Sequence, residues 1–199
     1  MRLGQAQVVS VVIIIVIALG ALALVLPWTY GMIQKKKDMK SLDDVYNFFQ
    51  TLDETIRNIA KNGGEESLSL KVPGKLTVYP ELVVSPFNNS IVFSFSAKVS
   101  NIAPGGWIPL NTPNMNEIAT LGVDTSSVIL GRATQTDSEM YIQYKLWYRT
   151  LIDTTGRGYK IVLSTTDNEE KSTTTGFLRI QRVGSGGTPL TITEINVIV

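Results

Sequence analysis

Apolar and polar positions divide this chain into three regimes. From Leu3 to Gln34 no residue is charged, and Val8 to Leu26 reads VVSVVIIIVIALGALALVL, apolar on every helical face. Nineteen residues at 1.5 Å rise make roughly 28 Å of helix, about one bilayer hydrocarbon core. Fourteen of the nineteen are Val, Ile or Leu, which favours insertion by roughly −5 kcal/mol on a membrane-insertion scale. The second regime, residues 41–61, is amphipathic. Leu42, Val45, Phe49, Leu52, Ile56 and Ile59 follow one another at spacings of 3, 4, 3, 4 and 3, the period of a narrow apolar seam along one helix face. Asn62-Gly63-Gly64 then predicts a helix stop, because glycine accepts the left-handed cap. From residue 65 the period changes to two. Ile91, Phe93, Phe95, Ala97 and Val99 alternate with Val92, Ser94, Ser96 and Lys98, and Met140, Ile142, Tyr144, Leu146 and Tyr148 alternate with Tyr141, Gln143, Lys145, Trp147 and Arg149. Further strand-like runs cover Ser67–Val72, Lys75–Tyr79, Ser127–Thr134, Gly158–Thr165, Thr175–Val183 and Leu190–Val199. The apolar parity switches within the last run, which predicts a bulge near Thr193 or Glu194. Turn signals separate the runs at Pro73-Gly74, Asn88-Asn89, Gly156-Arg157-Gly158 and Gly184-Ser185-Gly186-Gly187.

The pattern predicts an α+β chain: a long N-terminal hydrophobic helix, residues 5–62, followed by an antiparallel β-sandwich head domain, residues 65–199. As one rod, Gln5 to Ala60 spans roughly 84 Å. Pro27 removes one backbone donor and predicts a kink in that rod. Trp28 and Tyr30 suit a lipid–water boundary. Ser41 with Asp44 forms a capping pair if the helix restarts there. The seam packs on the head, and part of it is free to face neighbouring subunits. The one long irregular stretch, Ala103 to Ser126, is either a loop whose Trp107 plugs the sandwich end or a contact surface.

Composition removes most chemistry. The 199 residues contain no His and no Cys, so disulfides, thiolate nucleophiles, zinc–sulfur sites and histidine acid–base catalysis are excluded. A net charge of +1 gives no general pull toward nucleic acid, and none is expected as a partner. Asp167-Asn168-Glu169-Glu170 offers hard oxygens but lacks the spacing of a calcium loop, and it reads as a solvated turn. No catalytic, cofactor or metal site is predicted, and no enzyme. Asn88-Asn89-Ser90 is a glycosylation-type sequon at Asn88.

The N-terminus carries the sharper signal. Met1-Arg2-Leu3-Gly4 is a short basic leader ending in glycine, and the apolar run begins directly after Gln5-Ala6-Gln7. This resembles the class III signal of type IV pilins and archaeal flagellins, and the whole layout resembles archaeal type IV pilin-like proteins. Leu3 stands where a second basic residue is usual, and Val9 where bacterial pilins carry Glu. The resemblance implies a leader of residues 1–4, cut between Gly4 and Gln5 by a prepilin-type peptidase. It implies a stem 8–26 that is membrane-inserted before assembly and then becomes filament core. The filament is a homo-oligomer at the cell surface, built by dedicated assembly machinery. The core residues are Val8, Val12, Ile15, Ala18, Leu19, Gly20, Ala21, Ala23, Leu26 and Pro27, the small ones admitting close backbone approach. The alternative is a non-polymerising single-pass envelope protein with an extracytoplasmic β domain: a minor pilin, a stator-like partner or an S-layer-binding anchor. One feature opposes both. Lys35, Lys36, Lys37 and Lys40 follow the stem against Arg2 before it, which taken alone places the β domain in the cytoplasm. The leader resemblance implies export instead.

Overall fold

The computed structural model describes residues 3–137, 139–174 and 177–199, with helix side chains from residue 11 onward. One helix, α1 (Leu3–Asn62), precedes twelve strands. Its sixty residues span about 90 Å at the standard rise. The backbone across Gly4–Gln5 lies within it, while Met1, Arg2 and the side chains of Gly4, Gln5 and Val8 fall outside the described residues. The helix does not restart at Ser41, so the Ser41–Asp44 pair caps nothing. It ends where predicted: Gly63 and Gly64 have φ of 79° and 100°, and the Gly63 N–H donates to Ile59 O at 2.8 Å, closing the last turn.

The strands are β1 (Glu65–Ser69), β2 (Lys75–Tyr79), β3 (Ser90–Ala97), β4 (Ile108–Pro109), β5 (Ile118–Thr120), β6 (Ser127–Gln135), β7 (Met140–Tyr148), β8 (Thr150–Ile152), β9 (Gly158–Ser164), β10 (Lys171–Thr173), β11 (Phe177–Gly186) and β12 (Leu190–Ile198). They form two six-stranded sheets, ordered β1-β11-β12-β9-β8-β5 and β10-β2-β3-β7-β6-β4. Most pairings are antiparallel, but β12 with β9 and β5 with β8 run parallel. Each parallel pair brackets an excursion into the other sheet, through β10 in one case and β6–β7 in the other. A parallel pairing requires a crossover of this kind.

Alternation places Leu76, Val78, Ile91, Phe93, Ile142 and Leu146 on one inner face and Ile161, Leu163, Leu178, Ile180, Ile195 and Val197 on the other. The helix seam joins both. Leu42, Val45, Phe49, Leu52 and Ile56 have no exposed surface, and Ile59 has 3%. They share one core with both sheets, and α1 touches β6 and β7 of one sheet and β1, β11 and β12 of the other. Phe49 lies 5.9 Å from Tyr144, ring to ring. The opposite helix face, with Asp43, Asp44, Asn47, Gln50, Glu54 and Asn58, is exposed.

Three local readings are corrected. The register shift lies between Arg182 and Gly184 of β11, not in β12. In β12, Thr193, Ile195 and Val197 keep one inward phase. Leu190 and Ile192 lie on the outer side, where Leu190 packs over Gly158; a Cβ added there would sit 2.6 Å from Leu190 Cδ1. Gly184 to Gly186 belong to β11, and the turn falls at Gly187–Pro189. Arg149, which continues the outward phase of β7, is instead buried, against the segment 114–125. At that point the chain leaves one sheet at Tyr148 and joins the other at Thr150. Asn89 secures the same corner. Its amide donates to Tyr148 O at 3.0 Å and Ile161 O at 2.8 Å, and its carbonyl accepts from Leu163 N–H at 2.8 Å.

Because the seam is core to both sheets, Phe49→Ala is expected to destabilise the head by about 3–5 kcal/mol. Asn47→Ala, on the exposed face, should stay within about 0.5 kcal/mol. Chemical denaturation followed by tryptophan fluorescence compares the two directly.

Candidate functional site

The functional surface is built on the helix, in two halves with opposite fates. The lower half, from residue 38, is held by the head. Over the upper half, none of the described apolar residues from Val11 to Leu26 is buried. Val11, Ile14, Val16, Ile17, Leu19, Leu22, Leu24 and Leu26 are all exposed, Leu24 to 82%. The apolar stretch is long enough to cross a membrane, and none of it is buried. Val12, Ile15, Ala18, Leu19, Gly20, Ala21, Ala23 and Leu26 are thus brought onto one bare rod. A Cβ added at Gly20 meets nothing within 4 Å. An apolar surface of this extent on every side of a helix is not a stable contact with water. Its length and composition are those of a candidate membrane span.

The rod runs unbroken through Pro27. Proline lacks the N–H that would bond the carbonyl of Ala23, and two residues on, Thr29 Oγ1 donates to Val25 O at 3.0 Å. Trp28 and Tyr30 are 69% and 72% exposed, placed as amphipathic rings one turn beyond Leu26.

Polar contacts fasten the rod to the head. Asp38 is buried. One of its oxygens accepts from Lys98 N–H at 2.7 Å, and the other from Gln34 Nε2 at 2.7 Å. Four turns further on, Asp53 is also buried. It accepts from the Tyr148 hydroxyl at 3.1 Å and from Arg57 Nε at 3.0 Å. Burial pushes the Asp53 carboxyl above the usual carboxylate range, against the opposing pull of Arg57 and the Tyr148 hydrogen bond. The apolar spacing along the helix singles out neither Asp53 nor Asp38. Their roles appear only once β3 and β7 are brought alongside.

The long stretch 103–126 is organised by Arg149. Its side chain is buried. Nε donates to Thr125 O at 3.0 Å, Nη1 donates to Asn114 O at 2.8 Å and Asn116 O at 3.3 Å, and Nη2 lies 3.9 Å from Asp124. One guanidinium thereby satisfies carbonyls that a loop would otherwise leave unpaired. The stretch also contains β4 and β5. Trp107 is half-buried on the outside of a sheet, edge-on to Phe87 at 6.3 Å and beneath Arg132 at 5.1 Å. Lys145 lies over Phe87 and Trp147 and donates to Pro86 O at 3.2 Å, and burial lowers its amine to about 8.

The remaining sequence candidates lie apart from the helix. Asn88 is exposed at a turn, beside the buried Ser90 whose hydroxyl donates to Phe87 O. Asp167 to Glu170 form an exposed turn in which Asp167 pairs with Lys171 at 2.7 Å. Among the described residues no group of three or more carboxylates is placed to hold a metal ion.

The raised Asp53 carboxyl makes a pH prediction. The folded state binds this proton more tightly than the unfolded chain, so the ionised form costs stability above the folded pKa. That cost is relieved as pH falls through it toward the unfolded value of about 4. Asn at this position still accepts from Tyr148. The stability difference between Asp53→Asn and wild type should therefore favour the variant most at pH 7 and shrink toward pH 4. Thermal melts across that range would show it; a constant difference would mean the carboxyl is not perturbed.

Comparison with family models, with curated proteins and with solved structures gives no match to this chain.

Proposed function

We propose that this chain is the structural subunit of an extracellular type IV pilus-like filament, a surface appendage assembled by packing its N-terminal helices. The observation that carries the reading is one continuous helix with two surfaces: a seam buried within its own head, and an apolar stem whose described residues are all exposed. The stem's length and composition suit a bilayer before assembly. Lipid tails and a bundle of apolar helices are both dry, so transfer between them changes hydrophobic free energy little. Association then rests on side-chain packing, for which Ala18, Gly20, Ala21 and Ala23 supply close-approach positions. The stem reaches far beyond the head, so a copy can lay its stem against another's without displacing the head. A head-to-tail contact that does not close generates an open helical assembly, with β heads outermost. The Gly-ended leader supports cleavage before Gln5.

The Gly20→Leu variant tests the packing. Nothing within the chain lies near the added side chain, and leucine is the better helix former, so head stability should match wild type. Filaments should be absent or few by electron microscopy. Native material should begin at Gln5 by mass spectrometry. Normal filaments from the variant would overturn the packing claim. Detergent-free native material consisting of isolated monomers would identify a non-polymerising anchor instead.

A further inference from the structure

The four lysines after the stem are left unexplained by filament packing, and in an exported protein they run against the usual charge asymmetry of membrane segments. Lys35, Lys36, Lys37 and Lys40 are all exposed. Among the described residues, none of them takes part in an ion pair. At 100° per residue the four spread over an arc of about 200°, slightly more than half of the helix circumference. The carboxylate set among them, Asp38, is withdrawn into the head, bonded to Lys98 N–H and Gln34. That contact also brings Lys98, itself exposed, to the level of the lysine cluster. From the other side, Lys71 joins Lys37 and Lys40 in lining a groove of about 650 Å³ between the helix and the segment after β1, with Asp44 one turn further from the stem. Asp137 and Glu139 lie on the β6–β7 hairpin at the same end of the sheet, outnumbered by the lysines.

We propose that these lysines form a collar that binds the anionic headgroups of the bilayer surface while the stem is inserted. The inference rests on the membrane-inserted stage of the proposed function, not on polymerisation. Lys35 follows Leu26 by nine residues, roughly 14 Å along the axis, and the headgroup layer extends about 5–8 Å beyond the hydrocarbon. Helical side chains lean toward the N-terminus, here toward the membrane, and lysine extends its ammonium to polar surroundings on a flexible stem. Lys35 and Lys36 therefore reach the outer edge of the headgroup layer, and Lys37 and Lys40, the latter about 21 Å along the axis from Leu26, act on the charged surface from about one Debye length away. The head, clamped at Asp38, rests directly above it. A subunit held this way must release its headgroups to leave the bilayer, so anionic lipid opposes extraction.

The test uses the full chain reconstituted in phosphatidylcholine bilayers with spin-labelled phosphatidylglycerol or phosphatidylcholine, comparing wild type with a Lys35→Gln, Lys36→Gln, Lys37→Gln, Lys40→Gln variant. A lysine near an anionic surface favours it by about fivefold. Wild type should select phosphatidylglycerol over phosphatidylcholine by about that factor at low salt. The ratio should fall toward one in the variant, and likewise in 1 M salt, where screening acts within about 3 Å. The thermal melt of the head should not move. Motion-restricted lipid with a ratio of one in both proteins overturns the collar and leaves the span intact. No motion-restricted lipid of either kind overturns the inserted stage itself. Unchanged selectivity in a variant that no longer forms filaments would mean that the lysines serve a neighbouring copy, which also overturns the proposal.

Discussion

The structure depends on one burial: the seam from Leu42 to Ile59 is the centre of the β domain's core, not a rod lying against it. Both sheets point their inner faces at the same helix. Without it, Phe93, Tyr144, Leu146, Ile180 and Ile195 would face a void the width of a helix. Two consequences follow. The head and helix fold as one unit, since neither half of that core is dry alone. And the direction in which the stem leaves the head is set rigidly, because a continuous helix passes from the buried seam to the bare stem with no break at Pro27 or Ser41.

Rigidity matters for a surface that must be covered by something else. A flexible tether would let an apolar stem fold back onto its own head. Here the clamp at Asp38 and the buried seam hold the exit, and the stem projects clear. The chain thereby separates two requirements that usually compete: a fully satisfied core within the head, and an unsatisfied apolar surface outside it. Charged residues mark the border. Polar bonds to Asp38 end the buried zone, exposed lysines follow toward the stem, and Trp28 and Tyr30 stand next before the apolar stretch that ends at Leu26.

The head's polar devices act on its corners rather than on any ligand. Asn89 and Arg149 sit where the chain passes between sheets and where loops meet strand ends. Each bonds several backbone groups that have no ladder partner. Asp53 and Tyr148 extend the same logic to the helix, at the expense of a desolvated carboxyl.

Much of this was readable from patterning. The stem, the seam, the Gly-Gly stop and eight long strands each announce themselves through a local period, because their burial demands are uniform along one face. The single helix in place of two was half legible: Ser41 and Asp44 have capping chemistry, but a cap forms only where the backbone leaves the helix, and α1 runs through both residues without a break. What the tertiary structure alone decided is where non-periodic partners meet. Short strands such as β4, β5 and β10 exist because a neighbour supplies their ladder. Arg149 is buried because the segment 114–125 meets it where the chain changes sheets, and the bulge falls on β11 because β12 stays in phase with β9. Period records which side of an element is dry, and that is a local property. Which carbonyl an arginine caps, which sheet a strand joins and which carboxylate is withdrawn depend on residues far apart in the chain, and those were fixed only when the two sheets closed around the helix.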